Sequence, residues 1–244
     1  LTEIHPIPAD TDQEEVARLF RREGLTSAPV VDEDNRLIGV ITLDDVVEVV
    51  AEEAQEDILR LGGVDSSDLH RGILSTSVSR FWWLGINLGT AFVASGVVGL
   101  FEHTLDQIVA LAVLMPIVAG MGGNAGTQTL TVAVRALAMK ELSKTNMLRT
   151  VFKETSVGFL NGFAFALITG VLSALWFHSQ MLGVVIGLAM VTNLVAAGLF
   201  GILIPLILER FKIDPALASA VFLTTVTDVV GFFTFLGLAT WLML

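Results

Sequence analysis

From residue 81 onward the chain is written in long apolar runs separated by short polar intervals. Five runs stand out, at about 81–101, 105–139, 151–177, 181–208 and 215–244. Each supplies the roughly 20 residues needed to cross the hydrocarbon of a bilayer. They are apolar on most faces, so helical periodicity does not separate one side from another. The preceding residues follow another pattern. Val16, Leu19 and Phe20, behind a cap at Asp10 or Thr11, predict an amphipathic helix ending at Gly24. Short strands are expected over 29–31 and 37–41, joined by an Asp-Glu-Asp-Asn turn. A second helix starts at Asp44 and ends at the Gly62–Gly63 pair. Asp45, Glu48, Glu52 and Glu56 line one of its faces, and Val46, Val50, Ala54 and Ile58 line another. A polar linker over 64–80 leads to the first apolar run. The expected fold class is an α-helical membrane protein with five transmembrane helices, preceded by a small α/β segment and a connecting acidic helix.

Composition sharpens this division. Of 244 residues 53% are hydrophobic, and the mean hydropathy of +0.74 is that of a membrane protein. Residues 1–68 hold 18 acids against 5 bases, a balance of −13, while the remainder stands at +2. So acidic a front segment repels phosphates, which argues against nucleic acid as a partner and favours cations. The absence of cysteine excludes disulfides and thiolate metal sites. No basic stretch followed by an apolar core opens the chain, so no signal peptide is expected; the start reads as lying inside a domain. Basic residues fix the expected orientation. They cluster before the first run (Arg60, Arg71, Arg80), around the second connection (Arg135, Lys140, Lys144, Arg149, Lys153) and before the fifth run (Arg210, Lys212). The connections around 102–106 and 178–180 contain none, which places the N-terminus in the cytoplasm and the C-terminus outside. Trp82, Trp83, Trp176 and Trp241 fall near run ends, as interfacial anchors do.

Three constellations could carry chemistry. Asp228 is the only acid expected well inside a span. An isolated charge there costs roughly 2.5–3.5 kcal/mol on insertion scales, so a partner, a proton or a bound cation must compensate. Thr224, one turn before, and Gly231, just under one turn after, share its face. The bland alternative is a protonated Asp bonding a neighbouring helix. In the second constellation Gly120, Gly122, Gly123 and Gly126, with Asn124, Thr127 and Gln128, interrupt the second run. Either irregular backbone faces water there, or small residues allow close helix packing. Exposed carbonyls and side-chain amides suit a hydrated hard cation. The third is the acidic helix itself, whose stacked like charges would be relieved by cations or simply solvated. Single histidines at 5, 70, 103 and 178 make no transition-metal site, and no P-loop, nucleophile elbow or zinc-protease motif occurs. No catalytic residues are expected, and the protein is not read as an enzyme.

The stretches GMGGNAGTQTLTVAVRALA, VVEVVAEEAQEDILRLGG and DPALASAVFLTTVTDVVGFF together resemble the MgtE family of magnesium channels. APVVDEDNRLIGVITLDD resembles the end of a CBS domain, with Gly39, Thr42 and Asp45 in its G-h-h-T-x-x-D pattern. The resemblance implies a homodimer in the plasma membrane, with five transmembrane helices per subunit and a cytosolic Mg²⁺-sensing region. It divides the chain into a partial CBS domain (1–43), a plug helix (44–63), a linker (64–80) and a pore domain (81–244). On this reading Asp228 is the pore aspartate that meets hydrated Mg²⁺, one from each subunit. Thr224, Gly231, Gly122, Gly123, Asn124 and Gln128 line the pore. Glu48, Glu52, Glu53, Glu56 and Asp57 lie on the plug helix and help bind regulatory Mg²⁺. In CBS domains generally the Thr and Asp of the pattern can contact a nucleotide, which extends the expectation to Thr42 and Asp45. The family's N domain and most of its CBS pair have no counterpart in these residues. Two rival functions remain: a proton-coupled divalent-cation transporter, in which Asp228 titrates, and a membrane-anchored nucleotide sensor, in which the spans are mere support.

Overall fold

The computed structural model describes residues 6–64, 71–142 and 146–244 and resolves two compact units. In the N-terminal unit a three-stranded sheet is ordered β1 (Ile7–Pro8), β2 (Ser27–Val31), β3 (Leu37–Thr42). β1 runs parallel to β2, whereas β2 and β3 form an antiparallel hairpin that pairs Ala28 with Ile41. The hairpin turn is built by Asp32, whose Oδ1 accepts from the amides of Asp34 at 3.0 Å and Arg36 at 2.8 Å. Helix α1 (Gln13–Glu23) is capped by Asp12, one residue beyond the expected Thr11, because its carboxylate reaches the Glu14 amide at 2.9 Å. Gly24 closes it in the left-handed conformation, φ 64°, that glycine adopts without penalty. Ile7, Val16, Ala17, Phe20, Ala28 and Val46 form the small core. The two-residue β1 was too short for any alternation to announce it.

Helix α2 (Leu43–Leu61) opens with the acidic half of a capping box. Asp45 Oδ2 accepts from the Thr42 amide at 2.8 Å and from its hydroxyl at 2.7 Å. These two bonds hold the Asp45 carboxyl below the usual carboxylate range.

In the C-terminal unit five helices are long and apolar enough to cross a membrane, as the apolar runs predict. They are α3 (Ile73–Gly99), α5 (Ala110–Ala138), α6 (Met147–Phe177), α7 (Gln180–Arg210) and α8 (Pro215–Met243). A short α4 (Glu102–Gln107) precedes α5, so the second run divides at 108–109 instead of continuing as one helix. α3 begins eight residues before the first apolar run. Centrally placed, α7 is packed on by α5, α6 and α8, while α3 leans on α8 with only Ala94 buried. One apolar cluster gathers Leu111, Leu114 and Val118 with Leu182, Ile186, Phe235 and Leu236. A second gathers Leu130 and Val134 with Ile204, Leu208, Ala216 and Leu223. Pro116 and Pro205 sit inside α5 and α7, where neighbouring helices can re-satisfy freed backbone groups.

The contact of α6 with α7 is an antiparallel glycine seam. Gly158 meets the Leu194 carbonyl, Gly162 lies against Val191, Gly170 against Gly183, and Gly198 against the Glu154 carbonyl. Every step along α6 is matched by an equal step back along α7, so the two backbones stay in contact along most of their length. Without water to drive association in lipid, such close van der Waals approach is what holds helices together.

Candidate cation site

The depth of Asp228 follows from two contacts between α5 and α8. Gly126 abuts Leu223, where an added Cβ would lie 3.0 Å from the leucine side chain. Gly231 lies against Val118, at 3.2 Å by the same measure. Eight residues back along α5 therefore correspond to eight residues forward along α8, about 12 Å at 1.5 Å per residue. Asp228 accordingly sits level with residues 120–122, in the glycine-rich stretch of α5. It is half-buried, and no described residue gives it a hydrogen bond or an ion pair.

Residues around this level divide by exposure. Asn124, Thr127 and Gln128 on α5 and Thr224 on α8 are exposed on the single subunit. Thr127 and Thr224 return their hydroxyls to backbone carbonyls of their own helices, at 2.9 Å from Gly123 and 3.0 Å from Val221. Gly120 and Gly123 have open space where a side chain would stand. Gly122 and Gly231, in contrast, are buried and face inward against Asn193 of α7. Of the expected pore-lining set, Asn124, Gln128 and Thr224 are thus exposed and Gly123 is open on the single subunit, whereas Gly122 and Gly231 are buried against Asn193.

Two polar residues inside the helical unit escaped the sequence reading. Asn193 is wholly buried, and its Nδ2 donates to the Val118 carbonyl at 2.8 Å. Its signal was visible as a lone amide in the apolar run around VTNLVAAG. Glu154, two turns into α6, is only 7% exposed, so Asp228 is not the one acid held within the spans. Its carboxylate stands 3.5 Å from the Thr129 hydroxyl and 3.6 Å from the Lys153 ammonium. A lysine directly before it and a threonine on the facing helix make this burial tolerable, and made it easy to overlook.

On α2, Glu48 and Glu52 are exposed and Glu53 and Glu56 half-buried. Gln13 donates to Glu53 at 2.6 Å, and Arg60 pairs with Glu56 one turn away. Asp57 lies outside the residues whose side chains are described. Among the described residues, no three acids or histidines come together as a metal-binding group.

With this geometry in place, the chain can be compared with known proteins. A family model described as "MgtE: Divalent cation transporter" matches residues 115–238, the span that carries the glycine-rich stretch and Asp228. The chain belongs to the MgtE family. A CBS-domain model matches residues 1–52. Curated proteins called "Magnesium transporter MgtE" are similar over nearly all of it. That of Bacillus subtilis is 35% identical over 98% of this chain, and that of Thermus thermophilus 39% over 96%. That of Enterococcus faecalis is 34% identical over 95%. The chain spans about half the length of these relatives, 51 to 53%. MgtE membership and the CBS match account for the two-part pattern of the sequence.

Proposed function

We propose that two copies of this chain form a Mg²⁺-selective channel that imports magnesium across the plasma membrane, with a cytoplasmic N-terminus. The observation that carries the reading is the exposed polar strip of α5 and α8 that extends about 10 Å along the helices from the depth of Asp228. Asn124, Thr127, Gln128 and Thr224 are exposed on one subunit, beside a half-buried, unpartnered carboxylate. Lipid cannot satisfy the Asn124 and Gln128 amides or the carboxylate, whereas a second copy and a water-filled path can. Two facing aspartates would hold Mg²⁺ through its waters, which suits an ion that dehydrates reluctantly and prefers octahedral oxygen ligands. The names of the relatives support magnesium as the ion, and no chemical step beyond passage is needed.

Cytosolic Mg²⁺ regulates this path through Glu48, Glu52, Glu53, Glu56 and Asp57, whose stacked charges on α2 repel one another until cations gather there. Thr42 and Asp45, already bonded to each other in the capping box, favour a structural use over nucleotide contact.

Uptake of Mg²⁺ into liposomes tests the reading. Asp228→Ala in the full chain is expected to lower flux by ~10-fold or more, since the ring of acids is what attracts the cation. Equal flux from the two proteins would overturn the pore assignment. Flux that follows a proton gradient would replace the channel by a proton-coupled transporter.

A further inference from the structure

Asn193 is wholly buried, with 0% exposure, as is Thr227 beside Asp228. One end of its amide is used: Nδ2 donates to the Val118 carbonyl of α5. The other is not, since Oδ1 has no hydrogen-bond partner among the described residues. That orientation is forced, because a carbonyl can only accept and the nitrogen must face it.

Room for this amide is made by glycine on both neighbouring helices. A Cβ added at Gly122 would overlap the Asn193 side chain, and one added at Gly231 would lie 2.7 Å from Nδ2. The amide therefore occupies a three-way junction of α5, α7 and α8, between the two apolar clusters. An alkyl group of the same size would fill the space without leaving an acceptor orphaned. What the amide adds is direction. It ties α7 to the one part of α5 least able to hold itself. Pro116 lacks the N–H that would bond the carbonyl four residues back, and Gly120, Gly122 and Gly123 add flexibility. On α8 the contact falls at Gly231, three residues from Asp228 and on its helical face.

We propose that Asn193 is a positioning residue. Through its bond to α5 and its seat against Gly231, it sets the distance and rotation of α8 that aim Asp228 into the ion path. This rests on the proposed function, and the two can fail separately.

Because these 244 residues include no cysteine, Asp228→Cys carries a single thiol in this chain. Its rate of modification in liposomes by a small, membrane-impermeant, cationic methanethiosulfonate reports directly whether position 228 faces the water path. With Asn193 intact the thiol is expected to react. Adding Asn193→Leu, which keeps volume and removes the hydrogen bond, is expected to slow the reaction at least about threefold, the scale of a membrane-buried hydrogen bond. Elution on gel filtration should stay unchanged. Should the leucine variant aggregate, Asn193→Ala combined with Gly231→Ala refills the junction without the bond, and the same slowing is expected. An unchanged rate in a folded variant would overturn the positioning role while leaving the path assignment intact. A thiol that is unreactive even with Asn193 present would overturn the path assignment, and the positioning role with it.

Discussion

Along its contact with α6, helix α7 uses glycine to remove a gap; along its contact with α5 and α8, glycine keeps one open. In the first case Gly158, Gly170, Gly183 and Gly198 bring carbonyls of one helix against the backbone of the other. In the second, Gly122 and Gly231 stand back so that the Asn193 amide can enter. The same residue type therefore yields a rigid seam on one side and a polar junction on the other. The junction lies at the level of Asp228 and the seam on the opposite contact of α7. This division suits the proposed channel, in which the packed pair would serve as a frame and α5 and α8 would carry the groups that meet the ion.

The largest expected effect that separates the two is on the seam. Gly158→Val would drive a branched side chain into the Leu194 carbonyl. Overpacking of this kind costs typically 1–3 kcal/mol. A melting curve of the full chain in detergent should fall accordingly, and an unchanged curve would mean that the seam yields. Gly123→Ala is expected to do the opposite. Open space surrounds Gly123 on the single subunit, so stability should move by no more than about 0.5 kcal/mol. Mg²⁺ flux should nevertheless drop if that face lines the path, and an unchanged flux would place Gly123 elsewhere.

Smallest is the effect at the start of α2, far from either glycine set in sequence. Asp45→Asn weakens the capping box and should speed hydrogen exchange in the first turn of α2 by about threefold at neutral pH. The folded-state pKa of Asp45 is depressed, so its stabilising bonds are present above the ordinary carboxylate range and are lost as pH falls below it. Wild type and variant should therefore converge in acid. A difference that persists there would mean that the carboxylate is not what the cap uses.

Much of this architecture was legible because apolar length is a direct signal. Runs of 20 or more residues leave few alternatives to membrane helices, and the five runs match five helices. Likewise Asp228 was conspicuous, since a charge in an apolar run is costly wherever the run packs. Glu154 was less so, because Lys153 beside it made the pair look like an interfacial end. Asn193 was passed over for a related reason: an uncharged amide is tolerated in a membrane helix, and nothing local says whether it faces lipid, water or a neighbour. The split of Gly122 from Gly123 was equally hidden, because adjacent residues on a helix differ by about 100° in direction.

By itself the sequence determined the two-part plan, the number of membrane helices and the acid that marks the candidate path. Those features depend on composition, spacing and solvation, which act on each stretch separately. Only the tertiary structure decided which glycines bring helices together and which make room. It alone placed Asn193 between α5 and α8, and Asp228 level with residues 120–122. These facts depend on what stands across the gap from each residue, and in helices apolar on nearly every side no periodicity encodes that neighbour.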